Sequence, residues 1–223
     1  MQVEIINPWS WLCITMAVTL FTAFIMHLQS EHFYTHDVVL RKFSILDLEF
    51  PATARELPNL INGIYLLPQP QQQKTLSALR GQLWVDFIFM PAAYGSIFLL
   101  CMQVAGKMEA SGRIFFSVLA WIQIIPWICD IIEGCYLLGK IRRDVRPSTP
   151  GIHRAYQLLE VGKWGLSLTA TVCALSALLF FWLTGKYETA SLHYLLILVG
   201  EIVLFGVMIY LANLRTASPA VPE

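Results

Sequence analysis

Five apolar runs of bilayer length restrict the fold of this chain more than any other feature. They cover about residues 9–28, 83–104, 114–139, 153–183 and 192–212. About 20 apolar residues in a helix cross the ~30 Å hydrocarbon layer. Backbone groups inside that layer must be paired internally, so continuous apolar runs of this length are helices. The expectation is an all-α integral membrane protein, a bundle of about five transmembrane helices forming one domain over residues 1–215. Composition agrees: 57% of residues are hydrophobic and 13% charged, against about 25% charged in a soluble domain. The net charge of zero gives no basic balance that argues for nucleic acid. Cys13, Cys101, Cys129, Cys135 and Cys173 are scattered through the apolar runs without a CxxC pair, which makes them small core residues and not a disulfide or zinc framework. No basic segment precedes the first run, so that run is expected to remain as a helix and not to be a cleaved leader.

Between the first two spans lies a polar segment, residues 29–80, with Pro51, Pro58, Pro68 and Pro70. It is too short and too often interrupted by proline to bury a core of its own, and short helices on the membrane are expected there. Gln69 to Gln73 reads as a turn or linker. Pro91 and Pro126 fall inside the second and third spans, where each removes a backbone donor and bends or breaks a helix. The last residues, 216–223, read as a disordered tail.

Five crossings put the termini on opposite sides. Arg41, Lys42, Arg55, Lys74, Arg80, Lys140, Arg142, Arg143, Arg146, Arg154 and Arg215 fall on the C-terminal side, and Lys107, Arg113 and Lys186 on the other. The positive-inside rule then makes the C-terminus cytoplasmic and the N-terminus external, in a cytoplasmic (inner) membrane.

That topology gives the ionisable residues of the spans a common depth. Asp86 sits early in the second span, Asp130 and Glu133 late in the third, and Glu160 and Lys163 early in the fourth. All five are expected in the cytoplasmic leaflet. Asp130 with Glu133, and Glu160 with Lys163, are i,i+3 pairs that share a helix face. Tyr94 lies two turns beyond Asp86 on one face. Apart from Arg154 at the very start of the fourth span, Lys163 is the only lysine or arginine inside a span, and four carboxylates compete for it. An excess of acids in a membrane interior requires a bound proton, a cation or water. Two readings remain open. One is a ligand-binding pocket of Asp86, Tyr94, Asp130, Glu133, Glu160 and Lys163. The other is a structural polar cluster, with Asp86 acting as a helix N-cap and the other acids snorkelling.

Glu201 stands near the middle of the fifth span, and Gln123 midway along the third. Together they form a candidate ion or proton path, with Ser167 or Thr169 as other partners for Glu201. If the chain is helical beyond the first span, Glu31 with His27, and His32 with His36, adopt the i,i+4 spacing of metal ligands. His32, His36 and His153 are therefore weak metal candidates, although no HExxH pattern is present. Asp37 belongs to the same polar stretch. Trp127, Tyr136 and Trp164 read as interfacial aromatics.

Asp86-Phe-Ile-Phe-Met-Pro-Ala-Ala-Tyr94, Asp130-Ile-Ile-Glu133 and Lys163-Trp164 resemble a pattern in small uncharacterised multi-pass bacterial membrane proteins. There, an Asp-x-x-Phe run with a later Tyr precedes Asp-x-x-Glu and an intramembrane Lys. The resemblance spans about Phe43 to Trp164 and implies no activity. An Asn commonly follows the Glu in that pattern; here the residue is Gly134.

Three functions fit these features. The first is a transporter-like or channel-like protein whose pocket binds or passes a small cation, a proton or a lipid headgroup. The second is an intramembrane lipid-modifying enzyme using paired carboxylates. The third is a structural or accessory subunit. The expected partners are the lipid bilayer and a second copy or membrane-complex subunit, without nucleic acid. No motif identifies a cofactor.

Overall fold

The computed structural model describes residues 8–36, 39–186 and 189–217, with backbone alone at 189–190 and 215–217. Its helices are α1 (Pro8–Ser30), α2 (Ile45–Glu49), α3 (Glu56–Ile64), α4 (Gln69–Ala105), α5 (Ala110–Ile122), α6 (Ile124–Lys140), α7 (Pro150–Leu183) and α8 (Thr189–Ala217). Two three-residue strands, β1 (Tyr34–His36) and β2 (Leu40–Lys42), pair antiparallel between α1 and α2. Among the described residues, five segments are long and apolar enough to cross a membrane: α1, α4, α5 with α6, α7, and α8. The protein is an all-α, multi-pass membrane bundle.

α4 is the central helix. It packs against α1, α5, α6 and α7, while α8 packs on the outer side of α1. At 37 residues it is about 55 Å long, well beyond the hydrocarbon thickness. Its first turns therefore project past the bilayer. Gln69 to Gln73, read from sequence as a linker, are the start of this helix. Pro70 suits its first turn, where a missing N–H costs nothing, and Gln72, Thr75, Ala78 and Leu79 are buried by the polar segment folded against them. Pro91 lies within the uninterrupted helix. The third span is interrupted instead, at Gln123 between α5 and α6. Pro126 cannot donate to the Ile122 carbonyl and crowds it, and the Gln123 N–H bonds one residue short, to Ala120 O at 3.1 Å. The tail also begins later than the sequence suggests, since α8 runs on to Ala217; residues 218–223 lie outside the described residues.

The segment between α1 and α4 shares its core with the bundle. Phe33, Phe43, Leu48, Leu57, Leu60, Ile61, Ile64 and Leu67 pack with Leu79 and Leu83 of α4, Leu137 of α6, and Ile141 and Val145 beyond α6. Phe33 stacks on Phe43 with ring centroids 5.3 Å apart. The Asn62 side chain clamps the α6–α7 connection, accepting from Val145 N–H at 3.0 Å and donating to Val145 O at 3.1 Å. α2 is set by Ser44 and Asp47: the Ser44 N–H donates to Asp47 Oδ2 at 2.7 Å, half of a capping box.

Gly63 brings α3 close to β1. A Cβ there would overlap Thr35 Oγ1 and stand 2.7 Å from the His36 carbonyl oxygen. Because the second contact is backbone, Gly63→Ala must shift α3 off the strand. It is expected to cost about 1–3 kcal/mol, read by thermal unfolding in detergent, with faster amide exchange at residues 34–36.

Candidate functional site

α7 presents one continuous buried stripe: Tyr156, Glu160, Lys163, Ser167, Ala170 and Ala174. The spacings of 4, 3, 4, 3 and 4 are those of a single helix face. Thr149 starts this helix as its N-cap, its Oγ1 accepting from Ile152 N–H at 3.5 Å. Lys163 lies 13 residues in from Pro150, about 20 Å along the axis. α6 faces the stripe with Asp130 and Glu133, both buried one turn apart.

Lys163 joins the three acids. Its Nζ lies 2.7 Å from Asp130 Oδ1 and 2.8 Å from Glu160 Oε2, and it donates directly to Glu133 Oε2. Two phenols flank the cluster. Tyr94 of α4 donates to Asp130 Oδ2 at 2.5 Å. Tyr156 OH stands 3.3 Å from Glu133 Oε1 and 3.2 Å from the Leu48 carbonyl, bridging α7 to α2. Gln157 Nε2 adds a second tie, donating to Pro51 O at 3.3 Å. These bonds fix the position of α2, whose last residue, Glu49, points into the same cluster. Carboxylate oxygens of Glu49, Glu133 and Glu160 lie within 4.8 Å of one another.

Asp86 approaches from α4 across a cavity of about 190 Å³. Glu49, Gln82, Asp86 and Glu133 line it, with Phe89, Trp164 and other apolar side chains forming the walls. Asp86 is 17 residues from the start of α4, so it cannot cap that helix. Gly134 lies on the same wall, 3.2 Å from the Phe87 ring measured from where a Cβ would stand.

The charge balance is uneven. Glu49, Asp130, Glu133 and Glu160 surround one ammonium, so three negative charges would be uncompensated if all four were ionised. Oxygens are also left without partners. Glu160 is wholly buried, and its Oε1 makes no hydrogen bond. Its Oε2 meets Lys163 as an ion pair without hydrogen-bond geometry. Glu49 Oε2 and Gln82 Oε1 are likewise buried without a hydrogen bond. Buried polar atoms are normally paired, so the orphan oxygens of Glu49 and Gln82 on the cavity wall, with Glu160 in the adjoining cluster, mark room for a cationic or donor group.

Burial, and then the nearby Glu133, push the Glu49 carboxyl up from 4.5 to about 8. The folded chain thus holds a proton at Glu49 that the unfolded chain releases above pH ~4.5. Stability is expected to fall as pH rises from ~4.5 through ~8 and to level off above, by about 2–4 kcal/mol in all. Glu49→Gln should flatten that part of the profile, measured by thermal unfolding across pH in chelator.

Sequence reasoning placed Asp86, Asp130, Glu133, Glu160 and Lys163 at one depth with Tyr94 two turns beyond Asp86, and in the structure these six side chains surround one cluster and its adjoining cavity. It missed Glu49, Gln82 and Tyr156. Tyr156 was within reach, one turn before Glu160 on the same face. Glu49 was not, because only the folding of α2 against α7 delivers it.

Other expected groupings do not form. Gln123 lines a separate cavity with Pro91, Tyr94 and Trp127, its Nε2 donating to Leu119 O at 3.1 Å. Glu201 faces α1, among Ala17, Leu20, Phe21, Leu204, Phe205 and Met208. The Gln123–Glu201 path is therefore divided between different faces of the bundle, because α8 docks on α1. Ser167 donates to Lys163 O, and Thr169 is exposed; neither serves Glu201. The histidines are separated too. α1 ends at Ser30, His32 is in a turn and His36 in β1, so no helix sets them at i,i+4. His27 pairs with Asn213 Oδ1 at 3.2 Å. His153 sits in the first turn of α7, apart from the carboxylate group. Asp37 lies outside the described residues.

Comparison with protein-family models, with curated proteins and with solved structures gives no match to this chain.

Proposed function

We propose that this multi-pass membrane protein binds a small cation or proton in the acid-rich pocket between α2, α4, α6 and α7 and passes it across the membrane. The observation that carries this reading is the buried excess of carboxylates over the single Lys163, beside a cavity into which Glu49, Asp86 and Glu133 open. Acidic groups are rarely kept inside a span without a partner, because an unpaired one is expensive. Here four acids and two phenols converge on one lysine from four separate elements. The basic residues near one end of the bundle support placing the pocket in the cytoplasmic leaflet, with the N-terminus outside. The tyrosines donate hydrogen bonds that hold the acids in place; Lys163 keeps part of the negative charge in balance while leaving the cavity-side carboxylates free for a passing ion.

The test is flux through the full chain in liposomes, with proton, Na⁺, K⁺ or Ca²⁺ gradients imposed in turn and a dye inside that is selective for the ion imposed. Wild-type protein should pass at least one of these faster than empty vesicles. The Asp130→Asn, Glu133→Gln double variant should lose about tenfold or more of that rate while eluting as a folded species. Flux equal to empty vesicles, or a double variant as fast as wild type, would overturn the proposal.

A further inference from the structure

Resting on the reading that this pocket takes a cation, we propose that its resident ion is a hard divalent metal bound by Glu49, Glu133 and Glu160, with Asp86 and Gln82 completing the shell from α4. Three observations converge on this placement. The first is geometric. One carboxylate oxygen from each of Glu49, Glu133 and Glu160 fits within a 4.8 Å span. Oxygens on opposite sides of a Ca²⁺ ion stand about 4.6–5.2 Å apart, at 2.3–2.6 Å per bond.

The second is an orphan that is not an acid. Gln82 is 5% exposed, lines the cavity beside Glu49, Asp86 and Glu133, and leaves its Oε1 without a hydrogen bond. An amide oxygen turned into an acid-lined cavity suits a metal ion, to which it is a good neutral ligand. Glu160 Oε1 and Glu49 Oε2 are unpaired in the same region, whereas Lys163 already occupies the Oε2 atoms of Glu133 and Glu160. The ammonium and the metal would thus take different faces of the same carboxylates.

The third is charge. If all five carboxyls were ionised, Glu49, Asp86, Asp130, Glu133 and Glu160 would leave four negative charges after Lys163 is subtracted. A divalent ion reduces that to two, and a monovalent ion only to three. Among the described residues the donor set holds no sulfur or imidazole, which favours Ca²⁺, Mg²⁺ or Mn²⁺ over Zn²⁺ or Cu²⁺. The cavity volume of about 190 Å³ leaves space for the ion to keep several waters at ~30 Å³ each. Glu49 is the ligand that arrives on a short helix, so it is the one that can be removed with least damage to the bundle.

The test is Mn²⁺ binding to the full-length protein in nanodiscs, followed by loss of the free-ion EPR signal and by calorimetry. Wild type should bind one Mn²⁺ per chain, displaced by Ca²⁺ and unaffected by K⁺. Glu49→Gln should weaken binding about tenfold or more, and Gln82→Leu several-fold, while Glu201→Gln on the far side of α1 leaves it unchanged. Folded wild type that leaves all Mn²⁺ free at millimolar concentration, or Glu49→Gln with wild-type affinity, would overturn the inference. Its failure is separable from that of the proposed function. Flux that depends on Asp130 and Glu133 without Mn²⁺ binding removes the metal alone. Mn²⁺ binding without flux removes the transport reading alone.

Discussion

Replacing Lys163 by Met is expected to destabilise the protein by about 3–5 kcal/mol, the range for breaking a buried ion pair from one side. The lysine is 5% exposed and touches Asp130, Glu133 and Glu160 together. Without it, three acids stay in a low-dielectric interior with only Tyr94 and Tyr156 as donors. Methionine fills most of the volume, so the loss reports charge more than packing. The signature is its dependence on the acids. Adding Asp130→Asn and Glu133→Gln to Lys163→Met should recover much of the lost stability, because two of the three acids left without their counter-ion are then neutral. Glu160→Gln alone should be neutral or stabilising, since it removes negative charge from an over-acidic cluster. Thermal unfolding of the variants in one detergent reads these signs directly. A Lys163→Met protein as stable as wild type would mean that the acids are protonated in the folded state and need no counter-ion.

Phe33→Ala is the second large effect, at about 3–5 kcal/mol. Phe33 is fully buried, stacked on Phe43, in the core where the β-hairpin and α2–α3 meet α4 and α6. Its removal leaves a cavity at the junction that holds the polar segment on the bundle. The expected outcome is local as well as global. The segment from Phe43 to Phe50 should become sensitive to protease at concentrations that leave the spans intact, and Glu49 should leave the carboxylate cluster. Proteolysis mapped by mass spectrometry checks the first effect, and Mn²⁺ affinity the second. Loss of stability without selective cleavage of that segment would show that its docking does not depend on this core.

The distinction between these two variants follows how each region could be read. Lys163 and its acids were legible in the sequence because a span must bring each residue to a definite depth, and depth follows from counting 1.5 Å per residue along a helix. The β-hairpin was not legible: three residues in each strand carry no periodic signal, and β1 is held against α3 by Thr35, whose Oγ1 donates to Leu60 O at 2.9 Å. The break at Gln123 was half legible, since Pro126 announced a disturbance but not where the helix would yield.

From its own residues the chain determined five apolar crossings, a basic end, and one layer of buried acids around a single lysine. It did so because the cost of exposing backbone or charge to hydrocarbon leaves few alternatives. The tertiary structure alone decided azimuth and neighbours. It turned Glu201 toward α1 and away from Gln123, split His32 from His36, and laid α2 across α7 so that Glu49 joins Glu133 and Glu160. Rotation of a helix about its axis, and the docking of a short segment on its flank, depend on packing between residues far apart in the chain, and no local pattern encodes that.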